Sequence, residues 1–346
     1  MTDLPITSYF HPTTLVFIDD NDLFLQSFHL RIPENMAYVL FHDPRRALER
    51  INASVELATI PERSVTRPAE SLLWSDSTIH LDLGMIEQEI NNLQRFRRVS
   101  VVIAELAMPA IDGLSLCAGI EDPRIKKVLM TGAGEEQIAV RAFNDGFIDR
   151  FVPKNRATTL EMVIDYATEL QREYFLDQQR AIQESLSLNP PPLLEDPAVA
   201  AHFAALGKEF RFLEHYLVGE PPGFVFLTAQ GAFHRLIVLS DAEANEQVEY
   251  ATRHDAPPDV IEALSSRSRI GYFYERMEHY ADEPYPWRDY LFAPTRLTGN
   301  QVWWTALISA PPKGIDFSPA ASSFATYVEQ TDDTPTGNTT HRRSRR

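Results

Sequence analysis

Cysteine is almost absent from this chain, because Cys117 is the only one among 346 residues. A single thiol cannot form an internal disulfide framework, which fits the reducing conditions of a cytoplasm. No apolar run approaches the roughly 18–20 residues that a membrane-spanning helix needs. The first residues, MTDLPITSYFHP, lack the basic region and apolar stretch of a signal peptide. We therefore expect a cytoplasmic protein that makes no membrane contact.

Basic residues are scarce relative to acidic ones. The chain has 32 lysines and arginines against 49 aspartates and glutamates, a formal net charge of -17. An acidic surface repels phosphate backbones, so nucleic acid is a poor candidate for a partner. The one basic cluster, His341–Arg346, follows a polar stretch that cannot bury a core. Residues 321–346 are therefore predicted to form a disordered tail.

The first half of the chain alternates short apolar segments with amphipathic ones, which is typical of βα units around a parallel sheet. The predicted strands are Thr14–Ile18, Tyr38–Phe41, Val99–Ala104, Lys127–Met130 and a short one at Phe151–Val152. The predicted helices are Asp22–Leu30, a helix opened by Pro44, Gly113–Ile120 and Glu135–Asn144. This order predicts an α/β fold with a doubly wound, five-stranded parallel sheet.

Two segments depart from this rhythm. Residues 52–97 form an insertion, whose second half carries apolar residues at helical spacing. Thr158–Leu186 is predicted to be one helix, and its length beyond Leu170 exceeds what packing on the sheet requires, so the excess is available to pair with another chain. The prolines of Asn189–Pro192 end this helix and mark a domain boundary.

The second half is predicted to be an α+β domain. Asp196 and Pro197 begin a helix whose apolar residues continue at helical spacing to Leu213. The segments Phe224–Thr228 and Phe233–Leu239 are predicted to form a hairpin. Other predicted features are a capping box at Ser240 and Glu243, a short helix Pro257–Ser265, and strands Ile270–Tyr274 and Val302–Ser309.

Polar side chains follow four predicted strands of the parallel sheet. They are Asp19 and Asp20 after the first, Glu105 after the third, Thr131 after the fourth and Lys154 after the fifth. The carboxyl ends of parallel strands share one edge, where such folds place their sites. Converging carboxylates suit Mg²⁺. A hydroxyl and an ammonium group beside them would stabilise a transferring phosphoryl group.

This set resembles the CheY-like receiver domain of two-component response regulators, over about residues 13–170 with the insertion set aside. The resemblance implies a flavodoxin-like fold that binds Mg²⁺ and takes part in phosphorelay signalling. It assigns Asp19 and Asp20 to the metal, together with Glu105 and the backbone carbonyl of Ala107; Thr131 and Lys154 to the phosphate pocket; and Phe151 to the aromatic switch position. Met108-Pro109 and Asp112-Gly113 match the loop after the phosphorylated aspartate, although Asp112 is better explained as a helix cap.

Three features depart from the pattern of the family. Glu105 stands where the phosphate-accepting aspartate belongs, and its extra methylene moves the carboxylate by roughly 1.5 Å. The longer side chain could instead reach toward Thr131 or Lys154 and mimic the phosphorylated state. Asn155 replaces the usual proline after the lysine, so the loop there is expected to differ. The insertion is found in a subset of receivers linked to quorum-sensing phosphorelays.

These observations predict a receiver at 13–170, a helical linker at 171–192 and an α+β output domain at 193–320. The output half has more acidic than basic residues, no DNA-binding motif and no recognisable catalytic set. Its aromatic residues between Tyr272 and Trp304 are expected to form a core rather than a ligand pocket. Its histidines, which lack ligand-like spacing, are expected at the surface or at caps.

The leading functional hypothesis is a non-enzymatic response regulator with a degenerate receiver that acts through protein contacts. Its partners would be a sensor histidine kinase or another regulator protein, and a second copy of the chain in a homodimer. The alternative is a ligand-sensing module in which the receiver serves as a dimerisation platform. Whether Glu105 produces a constitutively active or an inactive state is left open by the sequence.

Overall fold

The structure, a computed structural model, describes residues 6–54, 88–186, 190–219, 221–273, 285–309 and 319–332. The chain divides into two compact units. Among the described residues, the first unit holds 11–54, 92–182 and 322–332. The second unit holds 6–10, 88–91, 183–186, 190–309 with the gaps given above, and 319–321.

The first unit is built on a five-stranded parallel sheet, as predicted. Its strands are β2 (Thr14–Ile18), β3 (Ala37–Phe41), β4 (Val99–Glu105), β5 (Lys126–Thr131) and β6 (Arg150–Pro153), in the order β3-β2-β4-β5-β6. The label β1 belongs to Tyr9–Phe10, a short strand of the second unit. The central strands are apolar and buried on both faces, which is the pattern of a sheet covered by helices on each side.

The helices of the first unit start where the local sequence signals a cap. They are α1 (Asp22–His29), α2 (Pro44–Ala53), α3 (Gly113–Ala118), α4 (Glu136–Asn144) and α5 (Thr159–Leu186), with a short 3₁₀ helix at Leu93–Arg97. Asn21, Asp43 and Asp112 cap α1, α2 and α3 through their side chains. The capping role predicted for Asp112 is therefore confirmed.

Two hydrophobic cores lie on opposite faces of the parallel sheet. One joins β2 residues such as Val16 to α2 and α3, and it contains Cys117. The other joins the alternate β2 residue Phe17 to α1 and to Leu170 of α5. Burial raises the pKa of the Cys117 thiol to about 12, so this cysteine is a small core residue, as expected.

The long helix is present, and its residues 171–175 make contacts within their own unit. Gln171 donates to the Thr13 hydroxyl at 2.7 Å, and Tyr174 accepts a hydrogen bond from Arg98 at 3.1 Å. Phe175 packs edge-on against His11 with 5.0 Å between ring centroids. The prediction of a separate linker from residue 171 is therefore corrected, because residues 92–182 group with the first unit.

The predicted disordered tail is also wrong for part of its length. Residues Phe324–Asp332 form helix α10, which follows a 3₁₀ turn at Pro319–Ser322. Phe324 is buried against Phe96 at 5.4 Å between centroids, and the Tyr327 hydroxyl lies 3.0 Å from that of Thr14. These aromatic contacts bury enough apolar surface to order a short helix that its sequence alone would not stabilise. Residues 333–346 lie outside the described residues.

The second unit is an α+β domain, as predicted. Its main sheet contains β1, β7 (Phe212–Val218), β8 (Gly223–Thr228), β9 (Phe233–Ser240), β13 (Val302–Ile308) and β12 (Thr295–Thr298), all antiparallel and in that order. Two further strands, β10 (Ile270–Gly271) and β11 (Leu291–Phe292), form a pair. The helices are α6 (Pro192–Glu195), α7 (Pro197–Phe210), α8 (Asp241–Arg253) and α9 (Pro258–Ser265), with a 3₁₀ turn at Trp287–Tyr290.

Several details of the second unit confirm or correct the sequence analysis. The β8–β9 hairpin and the capping box of Ser240 and Glu243 are confirmed. The helix predicted to reach Leu213 ends earlier, because Arg211 adopts a left-handed conformation with φ 54° and the chain continues as β7. The strand predicted at Ile270–Tyr274 pairs only over its first two residues, and Tyr274 lies outside the described residues.

The aromatic residues of the second unit form cores, as expected. Buried members are Tyr272, Tyr285, Trp287, Tyr290 and Trp303, while Phe273, Phe292 and Trp304 pack against the same clusters. The expectation of surface histidines is corrected in part. His202, His215 and His234 are half-buried, and His215 packs edge-on against Phe203 at 5.0 Å between centroids.

The predicted insertion lies mostly outside the described residues. Its end is visible as helical residues 88–90 and as the 3₁₀ helix Leu93–Arg97, where Phe96 is buried. Residues 88–91 group with the second unit, whereas 92–97 group with the first. Within the described ranges, no helix is both long enough and apolar enough to cross a bilayer.

Candidate functional site

The predicted site residues meet at the carboxyl edge of the parallel sheet. Asp19 directly follows β2, Glu105 ends β4, Thr131 ends β5, and Lys154 directly follows β6. The register explains this placement, since Ile18 pairs with Ala104, Glu105 with Met130, and Thr131 with Pro153. The strand ends are therefore level with one another, and the polar side chains that follow them share one pocket.

Three carboxylates converge in this pocket. Asp19, Asp20 and Glu105 each offer an oxygen, and these oxygens lie within 4.8 Å of one another. Asp19 is fully buried and accepts a hydrogen bond from the Asn21 backbone N–H at 2.9 Å, whereas Asp20 is exposed. The cluster is made of hard oxygen donors and has an exposed member, a set that fits a divalent cation such as Mg²⁺, which retains several waters.

The ammonium group of Lys154 bridges two of the three carboxylates. Its Nζ lies 2.8 Å from Asp19 Oδ2 and 2.7 Å from Glu105 Oε1. The lysine side chain is 15% exposed and the glutamate 14%, so both ion pairs are largely shielded from water. The Lys154 backbone N–H donates to the Thr131 carbonyl at 2.9 Å, which fixes the start of this side chain. The sequence analysis left open whether the Glu105 carboxylate reaches toward Thr131 or Lys154, and in the structure it contacts Lys154.

The charges of this cluster perturb one another. Burial, reinforced by the neighbouring Asp19 carboxylate, raises the pKa of Glu105 to about 7, although the hydrogen bond from Lys154 opposes this rise. Burial alone would lower the pKa of Lys154, but its hydrogen bonds to Asp19 and Glu105 outweigh burial and raise it. Both shifts follow from burial and from the charges of the neighbouring groups.

Thr131 is the polar residue of the pocket that is not engaged. Its side chain is fully buried, and its hydroxyl oxygen makes no hydrogen bond to the residues that the structure describes. The loop after it is held by Glu135, whose carboxylate accepts the Gly132 N–H at 2.7 Å. A buried hydroxyl without a protein partner normally faces a water or a ligand oxygen.

The loop after β4 depends on a close backbone approach at Gly113. A Cβ on this residue would lie 2.5 Å from the Glu105 carbonyl oxygen and 2.9 Å from Leu129 Cδ2. The Gly113 N–H donates to the Leu106 carbonyl at 2.9 Å, and Asp112 caps α3. Ala107 is exposed in this loop. The role of its carbonyl as a metal ligand stays a prediction.

Phe151 lies where the sequence placed the aromatic switch residue. It is on β6, partly buried, and packs against the core that contains Leu129. Its ring is edge-on to that of Phe143 on α4, with 6.1 Å between centroids. It therefore connects the sheet to α4, and its function as a switch stays a prediction.

One aromatic residue of the pocket was missed by the sequence analysis. The ring centroid of Phe24, on α1, lies 4.4 Å from Lys154 Nζ. The available signal was its position in the first turns of the helix that follows Asp19 and Asp20, close to the carboxyl edge. An apolar residue at such a position is otherwise explained by the core, so its contact with the ammonium could be seen only in three dimensions.

The sheet order, the carboxylate cluster and the lysine together define a receiver domain of the response-regulator class. The chain contains a CheY-like receiver domain that carries a glutamate at the end of its third strand and a long insertion after its second βα unit.

Comparison with one solved structure supports this class. The Legionella pneumophila response regulator LqsR is similar over 95% of this chain and 97% of its own length, with 28% sequence identity and a TM-score of 0.77. A receiver domain protein from Clostridium thermocellum covers 47% of this chain and 98% of its own, with 18% identity and a TM-score of 0.31. The signal receiver domain of an HD domain-containing protein from Pseudomonas fluorescens covers 52% and 99%, with 16% identity and a TM-score of 0.33. No protein-family model and no curated protein matches the chain.

Proposed function

We propose that this chain is a response regulator of a phosphorelay system whose receiver domain does not stably accept a phosphoryl group and acts through protein contacts. The observation that carries the proposal is the ion pair between Glu105 and Lys154 at 2.7 Å. The glutamate stands at the strand end where the receiver pattern has a phosphate-accepting aspartate. Its carboxylate already forms an ion pair with the Lys154 ammonium group, which in a receiver would bind a phosphoryl oxygen.

The chemistry of acyl-phosphate formation explains why one methylene matters. The reaction needs the carboxylate oxygen in line with the donor phosphorus, with the hydroxyl and ammonium groups already placed. A misplacement of about 1 Å can cost about a hundredfold in such a positioned reaction. Asp19, Asp20 and Glu105 would hold Mg²⁺, which supplies positive charge toward the phosphoryl oxygens. We expect weak Mg²⁺ binding, because Lys154 shares the same carboxylates.

The unengaged Thr131 hydroxyl favours an inactive state over a constitutively active one. In the receiver pattern, a phosphoryl group contacts both the hydroxyl and the lysine. Glu105 reproduces the lysine contact, while the Thr131 hydroxyl stays without a partner among the described residues. Glu105 therefore mimics only half of the phosphoryl contacts, and we propose that the receiver rests in its unphosphorylated form.

A second copy of the chain is the partner that the first unit's surface favours. The exposed large hydrophobic residues of the described ranges are concentrated on α4 and the turn after it: Ile138, Val140, Phe143 and Phe147, each between 37% and 43% exposed. The same helix carries charges of both signs, Glu136 in its first turn and Arg141 in its last. An exposed apolar surface on a helix that also carries both charge signs suits a two-fold interface. A sensor histidine kinase or another regulator protein is the proposed signalling partner.

The alternative function, a ligand-sensing output domain, loses its main support. The aromatic residues that could have lined a pocket are buried in cores. A cleft of about 300 Å³ does lie in the second unit, between Pro191–Leu193 and the start of α8, and one of these aromatic residues, Trp303, is part of its lining. A rise in melting temperature with a small-molecule library would favour this alternative.

Phosphate-affinity gels with acetyl phosphate and Mg²⁺ test the proposed function. We expect no labelling of the wild type, and labelling of Glu105→Asp, because that change removes the extra methylene while the pocket is kept. The label should depend on Mg²⁺ and disappear in Glu105→Asp combined with Lys154→Ala or Asp20→Asn. The matched control is Glu49→Asp, an exposed site on α2. Efficient labelling of the wild type at Glu105 would contradict the proposal.

A further inference from the structure

An aromatic ring lies against the charged cluster and is not used by the proposed function. Phe24 presents its ring to the ammonium group of Lys154, with 4.4 Å between Nζ and the ring centroid. The ring is partly buried and is held from behind by Phe28, edge-on at 5.2 Å between centroids. The cap of α1 fixes its backbone, since Asn21 Oδ1 accepts the Phe24 N–H at 3.2 Å.

Lys154 needs such support because its side chain is long and flexible. Ordering a lysine side chain costs about 2 kcal/mol of rotamer entropy. Its two ion pairs offset this cost, but the exposed Asp20 shows that solvent reaches one side of the cluster. An ammonium group over an aromatic face gains about 0.5–1 kcal/mol at exposed sites and more when it is desolvated. With the lysine side chain 15% exposed, the contact with Phe24 lies toward the desolvated end of that range.

The three residues that contact the Lys154 ammonium group belong to three different parts of the fold. Asp19 follows β2, Glu105 ends β4, and Phe24 projects from α1. The carboxylates attract the ammonium group by charge, whereas the ring attracts it through its π face. Loss of the ring would leave both carboxylates in place and remove only this restraint.

We propose that Phe24 is a positioning residue for Lys154: its ring holds the ammonium group between Asp19 and Glu105 and so keeps the Glu105–Lys154 pair closed. Phe24 acts through Lys154 and carries no reactive group of its own. The inference deepens the function proposed above for the same pocket, since the closed pair is what keeps the lysine from a phosphoryl oxygen.

Proton exchange of the Lys154 ammonium group tests this role in the full-length, metal-free protein. Its ¹⁵N–¹H signal is assigned by its disappearance in Lys154→Arg, and the exchange rate with water is measured by NMR. We expect Phe24→Leu to accelerate exchange by at least about two- to fivefold, the equivalent of the 0.5–1 kcal/mol that such a contact gains at exposed sites. Phe24→Tyr, which keeps the ring, should exchange at the wild-type rate. Leu23→Ala, a change at the exposed neighbour on α1, is the matched control.

Two results would overturn the proposal. One is an unchanged exchange rate in a folded Phe24→Leu protein, and the other is equal acceleration in Phe24→Leu and Phe24→Tyr. Should Phe24→Leu fail to fold, the wild type alone decides, because the Lys154 Hε protons must show an upfield ring-current shift if the contact exists. These measurements use unphosphorylated protein, so labelling of the wild type at Glu105 would refute the proposed function without changing their outcome.

Discussion

Replacing Glu105 with glutamine should change how the stability of the protein depends on pH. Its pKa in the folded protein is raised to about 7 from an ordinary value of 4.5, first by burial and then by the nearby Asp19. Between those two values the folded state binds a proton at Glu105 more strongly than the unfolded state. The free energy of unfolding therefore falls as the pH rises from about 4.5 through 7. Glutamine cannot ionise, so Glu105→Gln should lack this fall.

The magnitude follows from the size of the shift. Each unit of pKa corresponds to about 1.4 kcal/mol, so a rise from 4.5 to about 7 sets an upper limit of about 3 kcal/mol. The ion pair with Lys154 and residual contact with solvent reduce that limit. We expect the wild type to lose about 1–2 kcal/mol relative to Glu105→Gln between pH 5 and pH 8.

Two measurements check this prediction. Urea unfolding at several pH values gives the stability difference, and an NMR titration of the Glu105 side-chain carboxyl carbon gives its midpoint directly. Glu49→Gln, at an exposed position on α2, should leave the wild-type slope unchanged. Parallel pH profiles for the wild type and Glu105→Gln, or a titration midpoint near 4.5, would show that the carboxylate is not held as argued.

Three further perturbations test other parts of the structure. Gly113→Ala should destabilise the protein by about 1–3 kcal/mol in urea unfolding, because the added Cβ would lie 2.5 Å from the Glu105 carbonyl oxygen. Gly207→Ala serves as the control, since a Cβ at that position would meet no atom within 4 Å. Phe324→Ala should free α10 from Phe96, which hydrogen exchange would report as faster exchange over 324–331, and unchanged protection there would contradict the packing. Phe143→Glu on α4 should convert a dimer to a monomer in light scattering while Leu30→Glu, directly after α1, does not, and a monomeric wild type would exclude the proposed self-association.

The sequence was sufficient wherever the signal is local. The strands of the parallel sheet are short apolar runs, and the caps at Asp112, Asp196 and Ser240 are polar residues directly before helical periodicity. The order of these elements then places the polar strand ends at one edge, whatever the details of packing. For this reason the residues of the candidate site could be named in advance, although the geometry among them could not.

The segments that escaped prediction owe their structure to distant partners. Tyr9 and Phe10 form a strand only because they pair with Tyr216 and His215, which follow them in the chain by about 200 residues. Helix α10 is short and weakly patterned, and its order depends on contacts with Phe96 and Thr14. Neither pairing has a local signature. Residues 6–10 belong to the second unit although they precede the first unit in the chain, and residues 322–332 belong to the first unit although they follow the second. The two units are therefore interleaved in sequence.

The direction taken by Glu105 shows where sequence reasoning ends at the site. The Thr131 hydroxyl and the Lys154 ammonium group both lay within the expected reach of the Glu105 carboxylate. The residue types alone could not show which of the two it contacts. Charge decides in favour of Lys154, because a buried carboxylate gains more from an ammonium group than from a neutral hydroxyl. Asp19 and Phe24 also contact that ammonium group, so Glu105 is one of three residues that hold it. Thr131 is left without a protein partner among the described residues.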